Sequence, residues 1–181
     1  MPYVESFEPW IGDAPRALIL GSMPGVKSLQ RQCYYAHPRN AFWPILGELF
    51  GIEWSEDCAA RRRQFERLPL VLWDVLQGCE REGSLDSAIV GDSIRPNAIP
   101  ELLAEHPGIR RVLFNGGTAE RLFHRHLADR IEPERRLEYL RLPSTSPAYA
   151  GMRFEDKRAA WAEAFSDSGF FRAGSLSIRI S

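Results

Sequence analysis

The chain has 181 residues, 44% hydrophobic and 26% charged, with a formal net charge of −1. That length suits one domain burying roughly 70% of its unfolded surface, with the composition of an ordinary globular protein. No apolar run approaches the ~18 residues of a membrane span and the first residues do not resemble a signal peptide, so a cytosolic, cytoplasmic protein is expected. Near-neutral charge leaves nucleic-acid binding open only as a local patch. Cys33, Cys58 and Cys79 are odd in number and widely spaced, which argues against a disulfide framework. Without a Cys-x-x-Cys pair they also argue against structural zinc or a four-thiolate cluster.

In chain order, residues 1–15 hold Phe7, Trp10 and Ile11 among polar residues and read as an arm on the domain edge. Residues 16–20 form a continuously apolar strand of the kind buried on both faces of a parallel sheet. A loop of about twenty residues follows, far longer than a connection requires and rich in aromatic and hydrogen-bonding groups, hence functional. Residues 40–50 carry Phe42, Ile45, Leu46, Leu49 and Phe50 at helical spacing, with Gly51 as the stop. Residues 58–68 suggest a basic helix, and Leu70-Val71-Leu72-Trp73 a second strand stopped by Asp74. Residues 75–96 read as turns, and residues 97–105 as a short helix. The third strand, Arg111-Val112-Leu113-Phe114, runs into Asn115-Gly116-Gly117, after which Thr118 caps a helix. A fourth strand at residues 137–142 leads into Pro143-Ser144-Thr145-Ser146-Pro147-Ala148-Tyr149. The last helix, residues 154–165, directs Phe154, Ala159, Trp161 and Phe165 inward, and residues 166–181 form a loosely held tail after a single domain of residues 1–165.

Strands alternating with helices imply a parallel sheet covered on both faces, with ligands beyond the carboxyl ends of the strands. Each strand ends in something chemical: Gly21-Ser22-Met23-Pro24-Gly25, then Asp74, then Asn115-Gly116, then Ser144-Thr145-Ser146. One crevice is therefore expected. Neither dinucleotide nor P-loop glycine spacing is present. Taken singly, each residue has an ordinary reading. Asn40 sits where a helix N-cap belongs, Met23 and the tyrosines suit a core, Asp74 and the serines suit turns, and Arg61-Arg62-Arg63 suits a solvated helix face.

In combination the motifs point further. Gly21-Ser22-Met23-Pro24-Gly25 with Tyr35-Ala36-His37-Pro38-Arg39-Asn40-Ala41-Phe42-Trp43 resembles the first motif block of the uracil-DNA glycosylase superfamily. The match is nearest to its hypoxanthine (deoxyinosine) branch, then to the mismatch-specific uracil/thymine branch. Leu72-Trp73-Asp74-Val75-Leu76, Arg81-Glu82-Gly83-Ser84-Leu85-Asp86-Ser87 and Leu142-Pro143-Ser144-Thr145-Ser146-Pro147-Ala148 extend it. The resemblance implies a three-layer α/β/α sandwich around a four-stranded parallel sheet. It also implies a base-excision-repair enzyme that flips a damaged nucleotide out of the stack and cleaves its glycosidic bond with water, without metal or cofactor. Its partner is double-stranded or single-stranded DNA carrying a deaminated base, met by a monomer. Most of the superfamily has Asn or Asp where Met23 stands, and a thioether cannot position water. The resemblance therefore assigns catalysis to Asn40. It places Gly21, Ser22, Met23, Tyr35, Phe42, Asp74 and Asn115 around the base, with Tyr35 stacking on it and Asp74 at its edge. Pro24, Gly25, Arg39, Ser144, Thr145, Ser146, Pro147, Ala148 and Tyr149 are assigned to DNA, the last loop filling the vacated space. The usual His-Pro-Ser is replaced here by Pro143-Ser144-Thr145-Ser146-Pro147, which removes a histidine from transition-state stabilisation.

Hypoxanthine presents N1–H beside the O6 acceptor, and adenine the reverse. An ionised Asp74 accepts from N1–H, while a backbone N–H of residues 21–25 meets O6. A wrongly paired adenine would strand buried polar groups at roughly 1–3 kcal/mol each. Uracil offers a similar edge, so a uracil/thymine mismatch glycosylase is the alternative. A catalytically silent lesion-binding relative and a small-molecule nucleoside hydrolase are the others.

Overall fold

The computed structural model describes residues 2–166. Its elements are β1 (Tyr3–Glu5), β2 (Trp10–Ile11), β3 (Ala17–Gly21), α1 (Val26–Arg31), α2 (Phe42–Phe50) and α3 (Cys58–Phe65), followed by β4 (Leu70–Asp74), β5 (Leu76–Glu80), β6 (Arg95–Pro96) and α4 (Ile99–Glu105). β7 (Arg111–Asn115), α5 (Gly117–His126), β8 (Glu138–Leu142) and α6 (Phe154–Ala164) complete the order.

The main sheet runs β2-β4-β3-β7-β8, with β4, β3, β7 and β8 parallel. Every residue of β3 and β4 is buried, because helices cover both faces of the central strands. The two-residue period of a strand divides β3 between two cores. Ala17 and Ile19 join Phe42, Ile45, Leu46 and Trp161 on one face. Leu18 and Leu20 join Leu102, Leu103, Phe114 and Phe123 on the other. Register then positions the chemistry. Gly21 pairs with Asp74, and Leu20 with Phe114, so Gly21, Asp74 and Asn115 end their strands side by side.

Several expectations change. The four expected parallel strands are present, and the N-terminal arm adds β2, antiparallel to β4, as a fifth strand at the sheet edge. The arm also contributes β1, which pairs with β5 in a second small antiparallel sheet that includes β6. The stretch expected to be turns thus holds two strands, and the long functional loop contains α1. The disulfide expectation is overturned: Cys33 and Cys58 are bonded, with Cα atoms 5.9 Å apart, and only Cys79 is free. Spacing in sequence cannot reveal this, since α3 is brought against the end of α1 only by tertiary packing. The cap of α5 is Gly116 at φ 96°, not Thr118. That left-handed backbone suits glycine, and a Cβ there would meet Ser144 Cβ at 3.0 Å. On α6 it is Lys157, Trp161 and Ala164 that are buried, and Ala159 is exposed. The expected tail lies, apart from Ser166, outside the described residues. Among those residues no helix is long and apolar enough to cross a membrane.

Candidate active site

The three aligned strand ends, the start of α2 and the loop after β8 enclose a cleft of about 430 Å³. Its floor is formed where β3 and β4 stop. Only hydrogen fits on Gly21, since a Cβ there would lie 2.5 Å from Asp74 Oδ1 and 2.8 Å from the Tyr35 hydroxyl. Asp74 is 3% exposed and its Oδ2 is buried without a hydrogen-bond partner. Burial, reinforced by the charge of Asp86 and opposed by Arg81, raises its pKa from 3.8 to about 7. Near neutrality both the protonated form and the ionised form invoked from sequence are therefore populated. A buried carboxyl oxygen without a partner in a cleft wall is unusual, since buried polar groups are normally hydrogen-bonded. Asn97 Nδ2 fixes the strand end by donating to the Asp74 carbonyl at 2.8 Å.

The two tyrosines divide their roles. Tyr34 is core, its hydroxyl donating to the Glu8 carbonyl at 2.9 Å. Tyr35 lines the cleft in a left-handed conformation, φ 51°. Its neighbours enforce this strain: Trp43 Nε1 donates to the Tyr34 carbonyl at 2.8 Å, and Ala36 N donates to the buried Ser28 Oγ at 3.1 Å. Burial and the nearby Asp74 push the Tyr35 phenol further up, so it stays protonated. One face of its ring stacks on Phe42, centroids 4.1 Å apart and planes 24° apart. Phe42 itself is wholly buried and absent from the cleft wall, which corrects its assignment as a base contact. It backs the stacking ring instead.

Asn40 lines the cleft and also performs the cap-like role suggested by its position. Its Oδ1 accepts from Phe42 N at 3.0 Å, although Ala41, one residue later, is the helix boundary. That bond orients the side-chain amide and leaves one Oδ1 lone pair and the Nδ2 donors without a protein partner in the cleft. The backbone between Asn40 and α2 is held from the other side, since Ala41 N donates to the Thr145 carbonyl at 3.0 Å.

Asn115 grips Thr145 twice: its Oδ1 accepts from Thr145 N and its Nδ2 donates to Thr145 Oγ1, both at 2.9 Å. Thr145, one of the residues assigned to DNA, lines the cleft but is only 1% exposed, and its amide and hydroxyl are both held by Asn115. The amides of Ser146 and Ala148 are likewise engaged, by Ser144 Oγ and Ser146 Oγ at 3.2 Å. Ser144 and Ser146 both line the cleft. Pro147, Ala148 and Tyr149 continue its wall, and Tyr149 is 45% exposed. Lys157 anchors this loop, donating to the Tyr149 carbonyl at 2.8 Å with its ammonium 5.2 Å from the ring centroid. Met23 lines the cleft from the core. Pro24 lines the cleft but is buried, and its carbonyl accepts from Arg81 Nη2. Gly25 reaches the cleft wall, while Arg39 is exposed outside it.

Residues 81–87 were named in the sequence only as part of a motif, and Ser84, Leu85, Asp86 and Ser87 of them line one wall. Arg81 is 1% exposed and its Nε donates to the Gly83 carbonyl at 2.9 Å. Asp86 Oδ1 accepts from Ser22 Oγ at 2.7 Å, and Ser84 Oγ accepts from Val26 N at 2.8 Å. Burial raises the Asp86 pKa as well, with Ser22 and Arg81 opposing. Among the described residues no three His, Cys, Asp or Glu side chains converge as metal ligands.

This fold and cleft define a DNA glycosylase architecture, and residues 9–167 match the family profile of the Uracil DNA glycosylase superfamily. The chain belongs to that superfamily. It is similar to a Hypoxanthine DNA glycosylase of Methanosarcina barkeri, 37% identical over 113 residues that cover 62% of this chain and 70% of the relative. It is also similar to a protein of the same name from Methanosarcina acetivorans, 38% identical over 104 residues. That match covers 56% of this chain and 64% of the relative, less than two thirds of its length. Among solved structures, the solution NMR structure of a candidate uracil DNA glycosylase from M. acetivorans superposes with a TM-score of 0.72 at 27% identity. That superposition covers 90% of this chain and 96% of the other.

Proposed function

We propose that this protein is a monofunctional DNA glycosylase that removes deaminated bases, hypoxanthine foremost, by water attack on the sugar without metal. The observation that carries the reading is the pairing of Asn40 and Asp74 in one cleft, with Asp74 Oδ2 buried and unpartnered and the Asn40 amide oriented by Phe42 N. The flipped base stacks on the open face of Tyr35, whose other face is fixed by Phe42. Its N1–H donates to the Asp74 carboxylate, and the favourable contact draws the carboxyl into its ionised form. Adenine, with a lone pair at N1, meets that carboxylate as an acceptor facing an acceptor.

Asn40 does the positioning at the sugar. Its free Oδ1 lone pair accepts a hydrogen bond from the attacking water and aims the water oxygen at the anomeric carbon. The C–N bond breaks with its electron pair leaving on the purine, the water oxygen bonds to the sugar carbon, and the proton that water loses passes through solvent to the departing base, which is released neutral. Holding the reactants in line and stabilising the departing base supply most of the rate. The identity shared with two proteins named for hypoxanthine supports this base preference. Uracil, whose N3–H and carbonyl offer the same edge, is the second reading, favoured by the NMR relative.

The test is chromatographic detection of free hypoxanthine released from a deoxyinosine duplex, with borohydride present in a parallel reaction. Free base with no borohydride-trapped protein–DNA adduct is expected. A trapped adduct would replace water by an amine nucleophile, and absence of free base from a bound duplex would leave a lesion-binding protein.

A further inference from the structure

Leu85 is the most exposed large apolar side chain among the described residues, at 57%, and it stands on the mouth of the cleft. Val26 and Tyr149, both exposed, share that mouth. An exposed leucine alone needs no explanation, but this one is held rigidly. Gly83 turns the chain at φ 68°, and its carbonyl is fixed by Arg81. Ser84 on one side of Leu85 binds Val26 N, and Asp86 on the other binds Ser22 Oγ. The Leu85 carbonyl accepts from Ala88 N at 3.0 Å, closing a short 3₁₀ turn. Flanking side chains are thus anchored down into the turn after β3 while the leucine alone is presented outward. Ordering entropy has already been spent in the free protein, as preorganised binding surfaces require.

Sheet order locates its counterpart. The turn after β3 and residues 81–88 border one side of the cleft, the loop after β8 borders the other, and β7 lies between. Leu85 and Tyr149 therefore flank the mouth from different sides. We propose that Leu85 is a second apolar wedge which packs into the base stack of a duplex beside the flipped nucleotide, making double-stranded DNA the substrate class this site is built for. Apolar side chains inserted between base steps hold unstacked DNA in this way. A single strand has no stack opposite the lesion to receive Leu85, so its contribution is specific to duplex. The inference rests on the glycosylase reading above.

The experiment compares wild type, Leu85→Ala and Leu85→Met on deoxyinosine in a duplex and in a single strand. A parallel set of duplexes carries 2-aminopurine next to the lesion, and its fluorescence rises when the neighbouring stack is opened. Losing a buried leucine contact should lower the duplex-to-single-strand rate ratio about tenfold in Leu85→Ala. The 2-aminopurine rise should be lost in that variant and kept in Leu85→Met. An unchanged ratio with an unchanged fluorescence rise would overturn the wedge, whether or not both rates fall together. Conversion of a wild-type dimer to monomer by Leu85→Ala would also overturn it, by assigning the residue to a chain–chain contact. If wild type releases no base from either substrate, the glycosylase reading itself fails, and the two failures are thereby distinguished.

Discussion

Asp74→Asn separates the charge of the cleft carboxylate from its shape. The side chain is 3% exposed, and its pKa stands at about 7 against an ordinary 3.8. A carboxyl whose pKa is raised by folding stabilises the protein fully below the unfolded value, and that stabilisation is lost as pH rises through the folded value. The interval between 3.8 and about 7 corresponds to ~4 kcal/mol for the ionised form. Asparagine never ionises, so the stability difference between variant and wild type should be smallest at the acid end. It should climb in favour of the variant as pH rises and level off above about 7, gaining ~4 kcal/mol across the range. Urea unfolding of both proteins at matched pH values measures this, since titrating groups that do not interact with Asp74 cancel in the difference. A difference that stays flat with pH would refute the buried, unpaired carboxylate. The same variant should lose its preference for inosine over adenine, because an amide can rotate to meet either edge. Retained preference would remove Asp74 from recognition.

Asn40→Ala should retain duplex binding while excision falls by roughly two orders of magnitude. It should also lose ~1 kcal/mol of stability through the missing Phe42 N–H acceptor, measurable as a small drop in Tm. Unchanged turnover would take Asn40 out of the chemistry. Gly21→Ala should abolish excision and destabilise the fold, because its Cβ would meet the Asp74 carboxylate at 2.5 Å; a fully active variant would contradict the close approach at the cleft floor. Cys33→Ser, or reduction of the native protein, should lower stability by ~3 kcal/mol, the value for a loop of this length, seen in thermal unfolding with and without a dithiol. Identical transitions under both conditions would deny the Cys33–Cys58 bond.

The strands that carry the site were legible because burial on both faces leaves a continuously apolar run, as at Ala17–Gly21 and Leu70–Asp74. Their abrupt ends at Gly21, Asp74 and Asn115 gave the crevice. What sequence could not supply depends on three-dimensional packing. β2 and β5 are short strands with mixed patterns that exist only because a partner strand is present. Cys33 and Cys58 are joined by the docking of α3. Phe42 and Thr145 carry motif positions in sequence but prove to be buried scaffolding, since a motif records which residues occur together and not which of them reach the solvent. Leu85 and Asp86 were visible as letters in a supporting block, yet their place on the cleft wall follows only from the turn at Gly83 and the anchors at Ser22 and Val26. Asp74 was singled out from its place at a strand end, while its near-neutral pKa required knowledge of burial.

The central claim is excision of a deaminated base without metal. Purified protein is incubated with labelled duplexes containing inosine, uracil or no lesion, in the presence of a metal chelator, and the strands are cleaved by alkali and resolved on a gel. Alkali-dependent cleavage at inosine, faster than at uracil and absent from the undamaged duplex, is the predicted result. Cleavage at uracil alone would contradict the assigned preference, and binding to inosine duplexes with no alkali-labile product would contradict the enzyme itself.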